Sequence, residues 1–151
     1  MTIYITQKSF KVGKIIEDFS LDKPDVGAVV SFTGYVREFS NDTRLSYMFL
    51  EHYPGMTESS LELIESLARQ RWELNEISII HRVGKLLPND LIVAIVVSSK
   101  NRGNAFQACE FIIDFLKTDA PFWKKEVSDS GESWVKDRNE DHQKKANWSS
   151  R

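Results

Sequence analysis

One segment constrains the fold of this chain more than any other: residues 116–126, with the sequence LKTDAPFWKKE. An amphipathic pattern that ends at Lys117 predicts a helix. Pro121 stops that helix because proline lacks an amide hydrogen and biases the preceding residue towards an extended conformation. The two aromatic residues that follow Pro121 are expected to anchor the next segment in a core. Lys117 and Lys124 are therefore predicted to project from two rigid elements rather than from a mobile loop.

Two interpretations of these lysines are open. A lysine held against apolar walls can have a lowered pKa, and it can bind anions or move protons. The plainer alternative is a helix C-terminus that favours a cation, followed by a solvated lysine pair. The spacing alone favours the plainer alternative.

Composition indicates an ordinary globular domain. The 151 residues are enough for one domain with a sizeable core, and 41% are hydrophobic and 28% charged. The net charge of −2 disfavours a dedicated nucleic-acid binder. The first ten residues show no signal-peptide pattern, and no apolar run approaches the roughly 20 residues that span a bilayer. The expected location is the cytoplasm.

The residues that usually hold metals are sparse. Cys109 is the single cysteine, so neither an intramolecular disulfide nor a cysteine-built metal cage can form. Its apolar neighbours recur at helical spacing, which predicts that Cys109 is buried rather than nucleophilic. The three histidines lie far apart, at positions 52, 81 and 142. The sequence shows no Walker loop and no dinucleotide fingerprint, so no metal and no cofactor are predicted.

Periodicity and turn residues predict a mixed fold. The predicted helices are 10–19, 57–71 and 105–117, with Thr57 and Asn104 as N-caps. The predicted strands are 3–6, 28–36, 45–52, 76–82, 91–98, 122–127 and 133–135. Helices and strands do not alternate strictly, which indicates an α+β fold with a largely antiparallel sheet. A single domain over 1–136 is expected, followed by a polar, loosely held tail over 137–151 with Trp148 as a possible docking point.

Cationic side chains recur at the ends of predicted elements: Arg37, Arg102, Lys117 and Lys124. Arg102 precedes a helix, whose N-terminus offers free amide groups to an anion, and guanidinium binds phosphate in a bidentate manner. For either arginine alone, an ordinary surface role is the more frequent outcome.

Five segments, taken in order, resemble the large, catalytic subunit of molybdopterin synthase. The similarity extends from about Gly27 to Trp134, and several motifs in the right order are more specific than any one of them. The segments are GAVVSFTGYVR (27–37), LEHYPGM (50–56), HRVGKL (81–86), NRGNAF (101–106) and LKTDAPFWKKE (116–126).

The resemblance implies a fold, a reaction and partners. The fold is an α/β hammerhead with a largely antiparallel sheet and a small extra β subdomain. The reaction converts cyclic pyranopterin monophosphate (precursor Z) to molybdopterin. Sulfur comes from a thiocarboxylate on the C-terminal Gly-Gly of a small ubiquitin-like carrier subunit, so the catalytic chain needs no metal or cofactor of its own. The implied assembly is a central homodimer with one carrier at each outer end, a heterotetramer.

The resemblance also implies site residues. Lys117 and Lys124 match the family's catalytic lysines, and both are expected to contact substrate. The other implied substrate-binding residues are Tyr35, Val36, Arg37, Asn101, Arg102, Lys125 and Glu126. The family commonly has histidine where this chain has Asn101, which can form hydrogen bonds but cannot become cationic. His81-Arg82 and Glu51-His52-Tyr53 are interpreted as structural.

Three other functions compete with a sulfurtransferase. The same basic pocket would suit a non-catalytic module that binds a phosphorylated metabolite. A pure interaction protein for a ubiquitin-like partner is the second alternative. RNA binding is more distant, because the net charge is negative and the aromatic residues after Pro121 are expected in a core rather than on a stacking platform.

Overall fold

The protein is described here by a computed structural model that covers residues 2–135 and 138–150. Within those ranges the helices are α1 (Val12–Ser20), α2 (Met56–Arg71), α3 (Arg102–Asp119) and α4 (Asn139–Asn147). The strands are β1 (Thr2–Thr6), β2 (Ala28–Tyr35), β3 (Phe39–Ser40), β4 (Thr43–His52), β5 (Ile77–Arg82), β6 (Gly84–Leu86), β7 (Leu91–Ser99), β8 (Phe122–Ser128) and β9 (Gly131–Val135). Each predicted helix and strand is present, with bounds shifted by a few residues.

The larger core lies between the first sheet and two helices. Strands in this sheet run in the order β1-β5-β7-β2; β1 pairs in parallel with β5, and the other pairs are antiparallel. Helix α3 packs on β7 and β2, while α2 packs on α3 and β1. Apolar side chains of β5 and β7 meet those of the helices, including Ile79, Ile95, Leu61 and Ile112. Cys109 is buried in this core, which confirms its predicted structural role.

The second sheet forms the small β subdomain. Its order is β3-β4-β8-β9, and β6 also pairs with β4. A separate small core beneath it contains Val36, Leu45, Met48, Leu50 and Leu86. The predicted α+β class with a largely antiparallel sheet and an extra β subdomain is confirmed.

Both predicted N-caps are wrong. Helix α3 begins at Arg102, and its N-cap is Asn101, whose Oδ1 accepts a hydrogen bond from the Asn104 amide at 2.9 Å. Asn104 therefore supplies the capped amide rather than the cap. Helix α2 begins at Met56, and the position before it is taken by Gly55 with φ +86°, a conformation that glycine adopts without steric cost. Thr57 lies inside the helix and is buried.

The C-terminal segment differs from the loose tail that its polar composition suggested. Its described part, 138–150, contains α4 and a short 3-10 turn at Trp148–Ser150. The Trp148 side chain is 2% exposed, because its ring packs against Trp72 and Phe111. The predicted domain boundary, between residues 136 and 137, lies outside the described residues, so the division of the chain there stays a prediction.

The described helices are too short or too polar to span a bilayer. Across 2–135 and 138–150, none contains an apolar stretch long enough for that purpose. Over the same residues, no group of three or more histidine, cysteine, aspartate or glutamate side chains is arranged to hold a metal ion.

Candidate active site

The structure brings Lys117 and Lys124 together. Lys117 lies in the last turn of α3, and Lys124 is the third residue of β8. The pKa of the half-buried Lys124 is lowered from 10.5 to about 8, first by burial and then by the positive charge of Lys117. Lys124 can therefore exist in both its charged and its neutral form near physiological pH, which is what a proton-transfer group requires.

The bend between the two lysines is held by a buried hydroxyl. Thr57 Oγ1 donates to the carbonyl oxygen of Pro121 at 3.0 Å and accepts from the amide of Tyr53 at 2.9 Å. Strand pairing fixes the chain after the bend, because Leu50 of β4 lies opposite Lys124 of β8. Thr57 was not singled out as a site residue from the sequence, where the LEHYPGM segment signalled only a strand-to-helix turn.

His81 forms part of the floor beside the lysine pair. Its ring stacks on Phe122 with 3.8 Å between centroids and 15° between planes. Its Nδ1 lies 2.7 Å from the carbonyl oxygen of Arg82, so this nitrogen carries the proton and donates. Burial, with smaller contributions from the charges of Lys124 and Lys117, lowers the pKa of His81 to about 3. His81 is therefore neutral at physiological pH and packs as the structural interpretation expected.

The end of β2 lies at the same edge of the sheet as Lys117. Tyr35 pairs with Leu91 at the start of β7. Helix α3 returns antiparallel to β7, because only two residues connect the end of β7 to the start of α3 and the helix packs back on β7 and β2. The C-terminal end of α3 therefore approaches the β2 end, where Tyr35 and Arg37 are exposed.

Val36 is placed differently from its neighbours. Its side chain is 2% exposed and belongs to the smaller core. Its amide donates to Asp90 O at 2.9 Å, and its carbonyl oxygen accepts from the Asn89 amide at 2.7 Å. The structure thus gives Val36 a packing role and leaves Tyr35 and Arg37 as the ligand-facing candidates of this segment.

The two residues after Lys124 point to opposite faces of β8, because side chains alternate along a strand. Lys125 lies over the rings of Phe49 and Trp134 and pairs with Glu132 at 3.6 Å. Glu126 shares the face of Lys124 and accepts a hydrogen bond from Ser40 Oγ at 2.9 Å. Of Lys125 and Glu126, only Glu126 therefore lies on the face of β8 that carries Lys124.

Asn101 and Arg102 lie at the opposite end of α3. Fifteen residues separate Arg102 from Lys117, which corresponds to about 22 Å along a helix at 1.5 Å per residue. Both Asn101 and Arg102 are exposed, and the Oδ1 atom of Asn101 is already used as the helix cap. Within one chain these two residues do not meet the lysine pair.

Helix α4 contributes charges that were not predicted for the site. Asp141 raises the pKa of Lys124, and Arg138 lowers it. The polar composition of 137–151 gave no signal of this proximity. The one hint was Trp148, the apolar residue that anchors the segment.

Comparisons with known proteins identify the family of this chain. A family model described as MoaE protein matches residues 5–119. The molybdopterin synthase catalytic subunit of Ralstonia nicotianae is 48% identical over 147 residues, which cover 97% of this chain and 84% of the relative. The chain belongs to the MoaE family. The resemblance on which the expectation of an enzyme rested is thereby confirmed.

Solved structures of MoaE proteins have the same fold. The molybdopterin biosynthesis MoaE protein of Burkholderia ambifaria superposes with a TM-score of 0.83 at 43% identity, covering 98% of this chain and 97% of that one. Molybdopterin synthase of Staphylococcus aureus gives a TM-score of 0.81 at 34% identity, covering 87% and 95%. The MoaE chain described here is therefore an enzyme subunit of molybdenum cofactor biosynthesis.

Proposed function

We propose that this chain catalyses the sulfur-transfer step that converts precursor Z to molybdopterin. The sulfur donor is the thiocarboxylated C-terminus of a small ubiquitin-like carrier subunit. One observation carries the proposal: Lys124 is held beside Lys117 with a pKa lowered to about 8. A cationic pair of this kind suits a reaction in which an anionic substrate must bind and protons must move.

The nucleophile comes from the carrier, so the lysines handle charge and protons. In each of the two transfers that a dithiolene needs, the thiocarboxylate sulfur forms a C–S bond to the pterin side chain while a C–O bond there breaks, and the released oxygen is the leaving group. Water then hydrolyses the thioester that joins carrier to product, which leaves the thiol on the product and a carboxylate on the carrier. Lys117 stabilises the negative charge that develops during addition and hydrolysis. Lys124 holds the phosphate or protonates the leaving group, because about nine-tenths of it is protonated at pH 7 when its pKa is about 8, and the lowered pKa makes that proton easier to release.

Substrate phosphate also requires cations that do not titrate. Arg37 lies at the same sheet edge as Lys117 and is exposed, so its guanidinium is available for a bidentate contact with phosphate. Tyr35 offers a hydroxyl and an aromatic ring for the pterin from the same strand end. Glu126 lies on the face of β8 that also carries Lys124, and its hydrogen bond with Ser40 holds the Glu126 carboxylate there.

A second copy of the chain completes the site. Arg102 is about 22 Å from Lys117 along a rigid helix, which is farther than one pterin phosphate can bridge. Asn101 and Arg102 therefore serve the site of the neighbouring copy in a homodimer. Two carriers on the outer ends of this dimer give the heterotetramer that the resemblance implies.

Turnover with defined components tests the proposed function. The purified chain is mixed with precursor Z and thiocarboxylated carrier, and molybdopterin is measured. The expected result is product that depends on both, and its absence would refute the catalytic role. If precursor Z binds without turnover, the chain is a metabolite-binding module. If only the carrier binds, it is an interaction module.

Mixed dimers test whether the site is shared. A Lys117→Ala chain and an Arg102→Ala chain are each expected to be inactive, but random pairing of equal amounts gives about half heterodimers with one intact site each. Activity should recover to about a quarter of that of the unaltered dimer. No recovery would show that both residues act within one chain. Light scattering checks the assembly, because a clean monomer at micromolar concentration would refute the dimer.

The proposed compartment is the cytoplasm, and the proposed folding unit is 1–136. A single, buried cysteine suits a reducing compartment. Fractionation of cells that express the chain tests the location. Thermal unfolding of a chain ending at residue 136 tests the domain division, since a cooperative transition is expected if this unit folds alone.

A further inference from the structure

Helix α4 is attached to the part of α3 that carries Lys117. Trp148 Nε1 donates to Asp114 Oδ2 at 2.8 Å, and Lys145 forms an ion pair with Asp119. Asp114 and Asp119 lie three residues before and two residues after Lys117. The C-terminal segment therefore contacts α3 at residues before and after Lys117, which is a catalytic candidate.

Arg71 adds a second set of contacts to Trp148. Arg71 Nη2 donates to the carbonyl oxygen of Trp148 at 2.7 Å, and the Arg71 guanidinium lies over the rings of Trp148 and Phe111. A buried tryptophan with its indole hydrogen bonded is a specific anchor, because an unpaired indole N–H would be costly to bury. These contacts fix the position of α4 relative to α3.

Asp141 lies one turn before Lys145 in α4, and side chains four residues apart share a helix face. Asp141 therefore lies on the face of α4 that contacts Asp119, two residues after Lys117.

The groups that set the charge of Lys124 are Lys117 from α3 and both Asp141 and Arg138 from the α4 end. His81, from β5, is neutral. Asp141 is the carboxylate of this group, it is half-buried, and it lies in the first turn of α4.

We propose that the C-terminal helix is a working part of the site: anchored on α3 by Trp148, it places Asp141 beside Lys124 as a positioning residue for that ammonium group. The inference rests on the proposed role of Lys124. An opposite charge favours the protonated form of a lysine, whereas burial and Lys117 oppose it. Asp141 thereby increases the fraction of Lys124 that is protonated and able to bind phosphate or to deliver a proton, and undocking of the segment would remove that contribution.

A titration of Lys124 in the full chain tests this without any turnover. Lysine side chains labelled with 13C are followed by NMR across the alkaline range, and the Lys124 signal is assigned by its loss in Lys124→Arg. Asp141→Asn should move the Lys124 midpoint to lower pH, and Asp141→Glu should restore it. An unchanged midpoint in Asp141→Asn would overturn the proposal.

Glu140→Gln is the matched control. Glu140 lies in the same first turn and also interacts favourably with the helix N-terminus, but it pairs with Arg138 at 3.2 Å and is not among the groups that set the pKa of Lys124. Its substitution removes one negative charge from α4 and should leave the Lys124 midpoint closer to the unaltered value than Asp141→Asn does. Equal shifts of the Lys124 midpoint in both variants would mean that Asp141 acts on Lys124 no more strongly than Glu140 does, and would contradict the proposal.

The anchor is tested by a double-mutant cycle. Trp148→Phe keeps an aromatic ring but loses the hydrogen bond to Asp114, and Trp148→Ala removes the anchor. If docking delivers Asp141, adding Asp141→Asn to Trp148→Ala shifts the Lys124 midpoint less than Asp141→Asn does in the unaltered chain, whatever shift the loss of burial and of Arg138 causes by itself. Full additivity would overturn the link between anchor and site. If Trp148→Ala does not fold, the same comparison is made with Trp148→Phe.

Activity gives an independent readout once turnover is established. In the assembled enzyme, Asp141→Asn should shift the limb of the pH–rate profile that reports Lys124 to lower pH, and Asp141→Glu should shift it back. If the chain shows no turnover at all, the proposed function fails, and the NMR titration still decides the inference about Asp141.

Discussion

Lys124→Met is expected to stabilise the chain at neutral pH while it removes a catalytic candidate. Methionine keeps the length and apolar stem of lysine but carries no charge. The pKa of Lys124 falls from 10.5 to about 8 in the folded chain, which at about 1.4 kcal/mol per pKa unit is a cost of up to about 3 kcal/mol for the protonated form. Removing the charge should recover part of that free energy.

The sign of the pH dependence follows from the two pKa values. The unfolded chain keeps the Lys124 proton up to about pH 10.5, whereas the folded chain releases it near pH 8. The unfolded state binds more protons in this window, so the unaltered chain gains stability as pH rises through it. Lys124→Met lacks this gain, and its stability advantage should shrink between pH 7 and about pH 10.

Chemical denaturation at fixed protein concentration provides the assay. The free energies of unfolding of both chains are compared at pH 7 and at about pH 10. Lys8→Met is the control, because Lys8 is exposed and its substitution should change stability little at either pH. A Lys124→Met chain that is less stable at pH 7, or an advantage that does not vary with pH, would refute the reasoning.

Three further predictions concern the proposed chemistry. Lys117→Ala should lower turnover by about 10²–10³-fold without loss of the fold; near-normal rates would remove Lys117 from the mechanism. Arg37→Ala and Arg102→Ala should weaken binding of precursor Z to the dimer while leaving the melting temperature nearly unchanged, and calorimetric titration with unchanged affinity would contradict their role. Asn101→His should stay folded and active, with a helix cap weakened by about 1 kcal/mol, so an unfolded product would count against the assigned position.

Local patterns were sufficient to predict most of the fold. Alternating β-branched residues marked β2 and β7, and the break at Pro121 correctly separated α3 from β8. These signals come from backbone chemistry that acts within a few residues, so they do not need knowledge of the rest of the molecule. The cap of α3 was misplaced by three residues because Asn101 and Asn104 are chemically equivalent candidates.

Long-range contacts explain what the sequence could not reveal. Asp114 and Trp148 are 34 residues apart, and only the folded chain shows that one indole secures a helix whose own composition is polar. Thr57 and Pro121 meet across 64 residues through a single hydrogen bond. Val36 lies between two exposed neighbours, and its side chain is buried because it packs in the smaller core with residues of β4 and β6.

The tryptophan pair in the C-terminal anchor is also an optical probe. Trp72 and Trp148 lie 5.6 Å apart, with 83° between their ring planes. Indoles this close couple electronically, so the pair should contribute a distinct near-ultraviolet circular dichroism signal that disappears when the segment undocks. Trp134 is exposed, as is Trp123, which was expected in a core; both should emit at longer wavelengths than the buried Trp148. The chain thus carries an unlabelled spectroscopic reporter of whether its C-terminal helix is in place.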